Sequence, residues 1–144
     1  MFADIAEFAQ EIRRFFDELE RDLGTRTTGE YEPAIDICDG PEAIVVTADL
    51  PGVAAAAVRV ILRGPMLLVL GEKQAPSCEA RARFHVAERS FGRFARAVRL
   101  EGAFDGRRAT ARLAGGELRI TVPRIADRRG TPIAIPVTTA EGER

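Results

Sequence analysis

The sequence predicts an all-β antiparallel sandwich with a helical arm before it and an extended tail after it. Three observations carry that expectation. Apolar residues recur with period two in short runs between about residues 33 and 124. Turn residues separate those runs at intervals of roughly ten residues, the spacing of sandwich strands. The first 24 residues instead follow the three-and-four step of an amphipathic helix.

In the arm, Phe2, Ile5, Ala9, Ile12, Phe16, Leu19 and Leu23 fall on one helical face, which Phe8 and Phe15 widen. Glu7, Glu11, Arg14, Asp17, Glu18 and Arg21 occupy the opposite face, and Gly24 ends the pattern. Residues 25–32 read as a polar linker, so the arm and its linker span 1–32. Strands are predicted at 34–38, 43–50, 58–63, 66–72, 83–89, 93–100, 109–113 and 117–122. Val58, Val60 and Leu62 share a face opposite Arg59 and Arg63; Leu118, Ile120 and Val122 share one opposite Arg119 and Thr121. Asp39-Gly40-Pro41, Pro51-Gly52, Gly64-Pro65, Asp105-Gly106 and Gly115-Gly116 punctuate them. Leu50-Pro51-Gly52-Val53 has the chemistry of a type II turn. The tail, 125–144, is polar except for Ile133-Ala134-Ile135-Pro136-Val137, where Pro132 and Pro136 favour extended chain. Ile133, Ile135 and Val137 then point one way and require a partner surface.

The 144 residues suffice for one domain with a real core. Hydrophobic residues make up 46% and charged residues 30%, which fits a soluble globular protein. A net charge of −1 offers no basic stripe for nucleic acid. The N-terminus carries Asp4, Glu7 and Glu11 and no long apolar run, so neither a signal peptide nor a membrane span is expected. The arm's acidic polar face also argues against a membrane-surface helix. Cys38 and Cys78 are the two cysteines; without CxxC spacing they fit a reducing, cytoplasmic setting, and a redox role for either is left open. His85 is the single histidine, so a catalytic triad or a histidine metal site has little to work with. No phosphate-cradling glycine motif is present. No catalytic residue, metal or cofactor is expected.

Several motifs, in order, resemble the small heat-shock protein family with its alpha-crystallin domain. They are Asp49-Leu50-Pro51-Gly52-Val53, Leu67-Leu68-Val69-Leu70-Gly71-Glu72-Lys73 and Glu88-Arg89-Ser90-Phe91-Gly92-Arg93-Phe94 with Arg96, Val98 and Leu100. Ala111-Arg112-Leu113-Ala114-Gly115-Gly116-Glu117-Leu118 and the Ile133-Ala134-Ile135 tail complete the set. The sequence departs from the family pattern at Glu101, Ala109, Gly115 and Glu117.

The resemblance implies an immunoglobulin-like sandwich at 33–124 and a C-terminal extension at 125–144. It also implies an ATP-independent holdase that binds unfolded client proteins, forms a homodimer and assembles into a larger homo-oligomer. Ile133 and Ile135 would enter a neighbour's groove formed by Val58, Val60 and Leu62 on one side and Ala111 and Leu113 on the other, by β-augmentation. Phe84, Val86, Glu88 and Arg89, on a long loop, would pair with the partner's Ile35 and Ile37, covering an open sheet edge. The arm admits two compatible readings. It is either a helix docked on its own domain or in a coiled coil, or a mobile apolar arm presenting Phe2, Ile5, Phe8, Ile12, Phe15, Phe16 and Leu19 to clients. The rival functions are a CS-domain-like co-chaperone or interaction module, and a hydrolase on a sandwich scaffold.

Overall fold

A computed structural model of the chain describes residues 2–23, 31–125 and 132–140. One α-helix and seven strands make up the fold: α1 (Phe2–Leu23), β1 (Ile35–Asp39), β2 (Ala43–Asp49), β3 (Val58–Arg63), β4 (Met66–Lys73), β5 (Gly92–Arg99), β6 (Thr110–Ala114) and β7 (Glu117–Pro123). All pairings are antiparallel, in a four-stranded sheet ordered β1-β2-β7-β6 and a three-stranded sheet ordered β3-β4-β5. The predicted sandwich is therefore present, with strand ends within one or two residues of those read from periodicity.

The inner faces meet in one core. Ile44, Val46 and Ala48 of β2, Leu118, Ile120 and Val122 of β7, Leu67 and Val69 of β4, and Phe94 of β5 are all buried there. The period-two alternation in the sequence is the direct trace of this packing: Arg119 is exposed and Thr121 half-exposed on the other side of β7. The predicted turn after β2 forms as expected. Val53 donates its N–H to the Leu50 carbonyl at 3.2 Å, and Gly52 takes φ 76°, which a side chain would resist.

β4 is buried along nearly its whole length on both faces. Leu67 and Val69 face the sandwich core, while Leu68 and Leu70 face away from it into a second cluster with Phe15 and Phe16 of α1. Gly71 has a separate cause. A Cβ there would stand 2.4 Å from the Ala57 carbonyl oxygen and 2.6 Å from Cζ of Phe94, so only glycine lets the 55–57 turn close over the sheet.

One predicted strand is absent. Residues 83–89 carry no strand, and every residue from 77 to 90 is exposed. Alternation shows that Phe84, Val86 and Glu88 could line a strand, but a strand needs a ladder partner, and 83–89 has none among the described residues. Two short 3-10 turns, Ala55–Ala57 and Gly106–Arg108, were not anticipated; they are too short to leave a periodic signal.

Arg124 fastens one end of the sandwich. Its Nε donates to Asp39 Oδ1 and to the Gly40 carbonyl, both at 3.1 Å, its Nη1 donates to the Glu101 carbonyl at 3.0 Å, and its Nη2 pairs with Asp39. One guanidinium thus joins the β1–β2 turn, the end of β7 and the loop after β5, a geometry that lysine cannot reproduce. Asp39 is half exposed, which limits the ion-pair share. Arg124→Ala is expected to lower unfolding stability by about 1–2 kcal/mol, mainly through the lost carbonyl bonds. Urea denaturation checks this, with Arg124→Lys recovering less than half of the loss.

Candidate interaction surfaces

β3 and β6 are edge strands of opposite sheets, and the sandwich is open between them. Val60 and Leu62 of β3, Leu67, Ala109, Thr110, Ala111 and Ile120 line a hollow of about 330 Å³ there. A second hollow of about 510 Å³ adjoins it at Leu62 and is walled by Phe104, Asp105 and Arg107. Of the predicted groove residues, Val60, Leu62 and Ala111 come together in the first hollow. Val58 and Leu113 are half-buried against the same core but lie outside its lining. Phe104 and Ala109 were missed as groove residues: Phe104 sits outside every predicted strand, and Ala109, within the predicted 109–113 strand, lies one residue before β6.

In the tail, residues 132–139 have no regular structure. Ile133, Ile135 and Val137 are 73%, 82% and 96% exposed, so the chain's own groove does not hold them. At the other edge of the four-stranded sheet, Ile35 is half-buried and packs on the core, whereas Ile37 is exposed. Phe84 and Val86 are exposed on the irregular 74–91 segment, as are Glu88 and Arg89. One side of β1 pairs with β2; the other side has no ladder partner among the described residues.

The arm is docked rather than free. Phe15 and Phe16 are buried, their rings tilted by 56° at 5.7 Å, and with Ile12 they cover Ile61, Met66, Leu68 and Leu70 on the outer face of β3-β4-β5. Of the two compatible readings of the arm, this is the docked one, with Ile12, Phe15 and Phe16 against the sheet. The side chains of Phe2, Ile5, Phe8 and Leu19 lie outside the described residues, as does the linker at 24–30.

The polar face of the helix, though largely exposed, meets arginines of the sheet. Glu7 pairs with Arg63, and Glu11 and Glu18 approach Arg59 at 3.8 and 4.0 Å. The Arg59 guanidinium lies 6.0 Å from the Phe15 ring centre, and that of Arg93 lies 4.6 Å from Phe16. Arg59 and Arg63 alternate with the core-facing residues of β3, so they must project on the helix side. The pairs are half-exposed and contribute at most about 1 kcal/mol each.

Beside this contact, Tyr31 donates its N–H to the Arg93 carbonyl at 3.2 Å and its hydroxyl to the Asp49 carbonyl at 3.0 Å. Its ring meets Phe94 edge-on and carries the Lys73 ammonium at 4.7 Å. Burial, and then the Asp49 carboxylate, raises the phenol above its ordinary pKa. Arg96 donates to the Pro33 carbonyl at 2.8 Å, so residues 31–33 are tied to the free edge of β5. These are fastening contacts, set around a hollow of about 420 Å³ that Tyr31, Glu32, Arg93 and Arg96 line with Phe16 and Phe94.

His85, Cys38 and Cys78 are each exposed, Cys38 on β1 and Cys78 and His85 on the irregular 74–91 segment. Among the described residues, no three His, Cys, Asp or Glu side chains gather as a metal site, and no helix is long and apolar enough to cross a membrane.

Comparison with known proteins agrees with this architecture. The model of the Hsp20/alpha crystallin family matches residues 36–138. The chain is similar to spore protein SP21 of Stigmatella aurantiaca, with 37% identity over 65% of this chain and 56% of that protein. It is similar to heat shock protein 16 of Schizosaccharomyces pombe, with 31% identity over 72% of this chain and 73% of that one. Among solved structures, a small heat-shock protein from Xylella fastidiosa, described as having a distinct high-order structure, superposes with a TM-score of 0.65. It shares 32% identity over 76% of this chain and 98% of its own. With the sandwich, the strand order and these matches together, the chain belongs to the Hsp20/alpha crystallin family, the small heat-shock proteins, which are ATP-independent chaperones rather than enzymes.

Proposed function

We propose that this protein is a holdase: it binds partly unfolded proteins under stress and keeps them from aggregating, without ATP. One observation supports this above the others. Among the described residues, the large apolar side chains that remain exposed are Ile37, Phe84, Val86, Ile125, Ile133, Ile135 and Val137. They sit on an edge strand, an irregular segment and the tail, not on the closed faces of the sandwich. Exposed apolar groups on extended chain mark surfaces that pair with other chains. Holding an aggregation-prone state lowers its free concentration and needs no chemical step.

In this reading the working unit is a homodimer in which 84–88 of one subunit lies along β1 of the other. The tail's Ile133 and Ile135 enter the β3–β6 groove of a neighbour and build a larger homo-oligomer. Residues 1–32 act as the arm, 33–124 as the sandwich and 125–144 as the linking extension. The arm contributes apolar surface to clients when it leaves its sheet.

The direct test is turbidity. An unrelated protein that aggregates on heating or on reduction is expected to stay clear when this protein is present at equal or several-fold molar excess, with no nucleotide added. A need for ATP, or no protection at that excess, would refute the holdase reading. Protection limited to one protein would favour the co-chaperone alternative.

A further inference from the structure

We propose that the outer face of β6 and β7 receives the acidic Glu141-Gly142-Glu143 segment of another copy's tail, held by Arg112 and Arg119. The inference rests on the reading that the tail joins copies, and it adds a second, charged contact to that joint.

Arg112 and Arg119 stand directly opposite each other on β6 and β7. Both are exposed, on the side of the sheet away from the buried Leu118 and Ile120. Like charges directly opposite in an antiparallel pair repel and weaken it. On β3 that problem is met by α1, whose glutamates face Arg59 and Arg63. Among the described residues, neither Arg112 nor Arg119 has an ion-pair partner. In the next row on one side, Thr110 opposes Thr121 and adds two hydroxyls. In the next row on the other side, Asp49 opposes Glu117. The two arginines, the two threonines, Ala114 and Glu117 line a hollow of about 410 Å³. Two guanidiniums beside two hydroxyls suit a pair of carboxylates, and the acidic row confines them to the arginine and threonine end.

The tail carries such a pair. In extended chain, Glu141 and Glu143 project to one side about 6–7 Å apart. Directly opposite strand residues stand about 4.5–5.5 Å apart, a difference that long side chains absorb. The reach is also sufficient. β6 is an edge strand, and its Ala111 walls the β3–β6 groove. Glu141 lies six residues beyond Ile135, at most about 20 Å of extended chain, whereas one strand is about 5 Å wide. A tail seated by Ile133 and Ile135 can therefore turn around the free edge of β6 onto its outer face. Residues 132–140 are all exposed, so the chain's own sandwich does not hold them.

The test uses the full-length chain with Ile133→Ala and Ile135→Ala, which frees its grooves, and a fluorescent peptide of residues 131–144 read by anisotropy. Glu141→Lys with Glu143→Lys in the peptide is expected to weaken binding about tenfold at low salt. At 1 M salt, where the screening length falls to about 3 Å, the loss should shrink to about twofold. Arg112→Glu with Arg119→Glu in the chain should weaken the wild-type peptide to the same degree. Pairing the two reversed partners should restore binding to within about twofold. Circular dichroism verifies the fold; if the reversal unfolds the chain, Arg112→Gln with Arg119→Gln replaces it, and the peptide-side change needs no altered sheet. Charge changes without effect, while Ile133→Ala and Ile135→Ala in the peptide still weaken it, overturn this proposal alone. A peptide with those two alanines that binds as tightly as the wild type refutes the groove reading alone. An unrelated peptide containing Glu-Gly-Glu that binds as tightly assigns the face to acidic segments in general and overturns the choice of the tail. No peptide binding at all overturns both.

Discussion

Replacing Ile133 and Ile135 by alanine is expected to reduce the assembly toward dimers while leaving the unfolding transition nearly unmoved. Both side chains are largely exposed on an irregular stretch of chain, and a two-residue spacing in extended chain puts them on one side. The open β3–β6 hollow offers apolar walls of Val60, Leu62, Ala111 and Ile120 to receive them. Partial burial of an isoleucine there stabilises by about 1–3 kcal/mol, less than full burial in a core. Even at the low end, losing two such contacts shifts each tail–groove equilibrium by about thirtyfold, since 1.4 kcal/mol is about a factor of ten. Many repeated contacts in one particle compound the loss. The core residues of the sandwich make no use of the tail, so its stability should hold. Light scattering at micromolar concentration reads the mass. An unchanged large particle would remove the tail from the assembly, and a wild-type chain that is only a dimer would leave the motif without this role.

Much of the sandwich was legible because its strands alternate. Leu118-Arg119-Ile120-Thr121-Val122 announces one dry face and one wet face, and β7 has them. The same signal failed at 83–89 for a physical reason. Alternation records which side chains could share a face, whereas a ladder depends on a second strand that a sequence window does not contain. The arm shows the converse limit. Its apolar stripe was plain, and Glu7, Glu11 and Glu18 were placed on the opposite face of the helix and Arg59 and Arg63 on the opposite face of β3, with nothing to join them. Their pairing joins positions about fifty residues apart and exists only once the helix lies on that sheet. Leu68 and Leu70 carried the one available hint. A strand apolar at every position from Met66 to Leu70 is covered on both faces, so something had to cover the outer one. Of the groove, Val60, Leu62 and Ala111 were placed by resemblance, while Phe104 lay in chain with no period to read and Ala109 at the first position of a predicted strand, where nothing marked it as a groove wall.

Deleting residues 1–24 is expected to leave a folded β core with a new apolar face, and to weaken client protection. The sandwich core between the sheets and the cluster under α1 lie on opposite faces of the three-stranded sheet and meet through β3 and β4, where Leu67 and Val69 point inward and Leu68 and Leu70 outward. Removing the helix therefore strips one face of β4 and leaves the other packed. The transfer gain lost with Phe15 and Phe16 is about 1.5–3 kcal/mol each. Ordering the 22 residues of the helix opposes much of that gain, so the net fall in core stability should be nearer about 1–3 kcal/mol. β-type circular dichroism should persist, and binding of an apolar dye should rise as Ile61, Met66, Leu68 and Leu70 meet water. Loss of the β signal would make the helix part of the folding unit, contrary to the separation of the two clusters. Client protection separates two sources of binding surface. If the arm's phenylalanines supply it, protection falls on deletion, the result expected here. Protection that rises instead would assign client binding to the uncovered sheet and make α1 its cover.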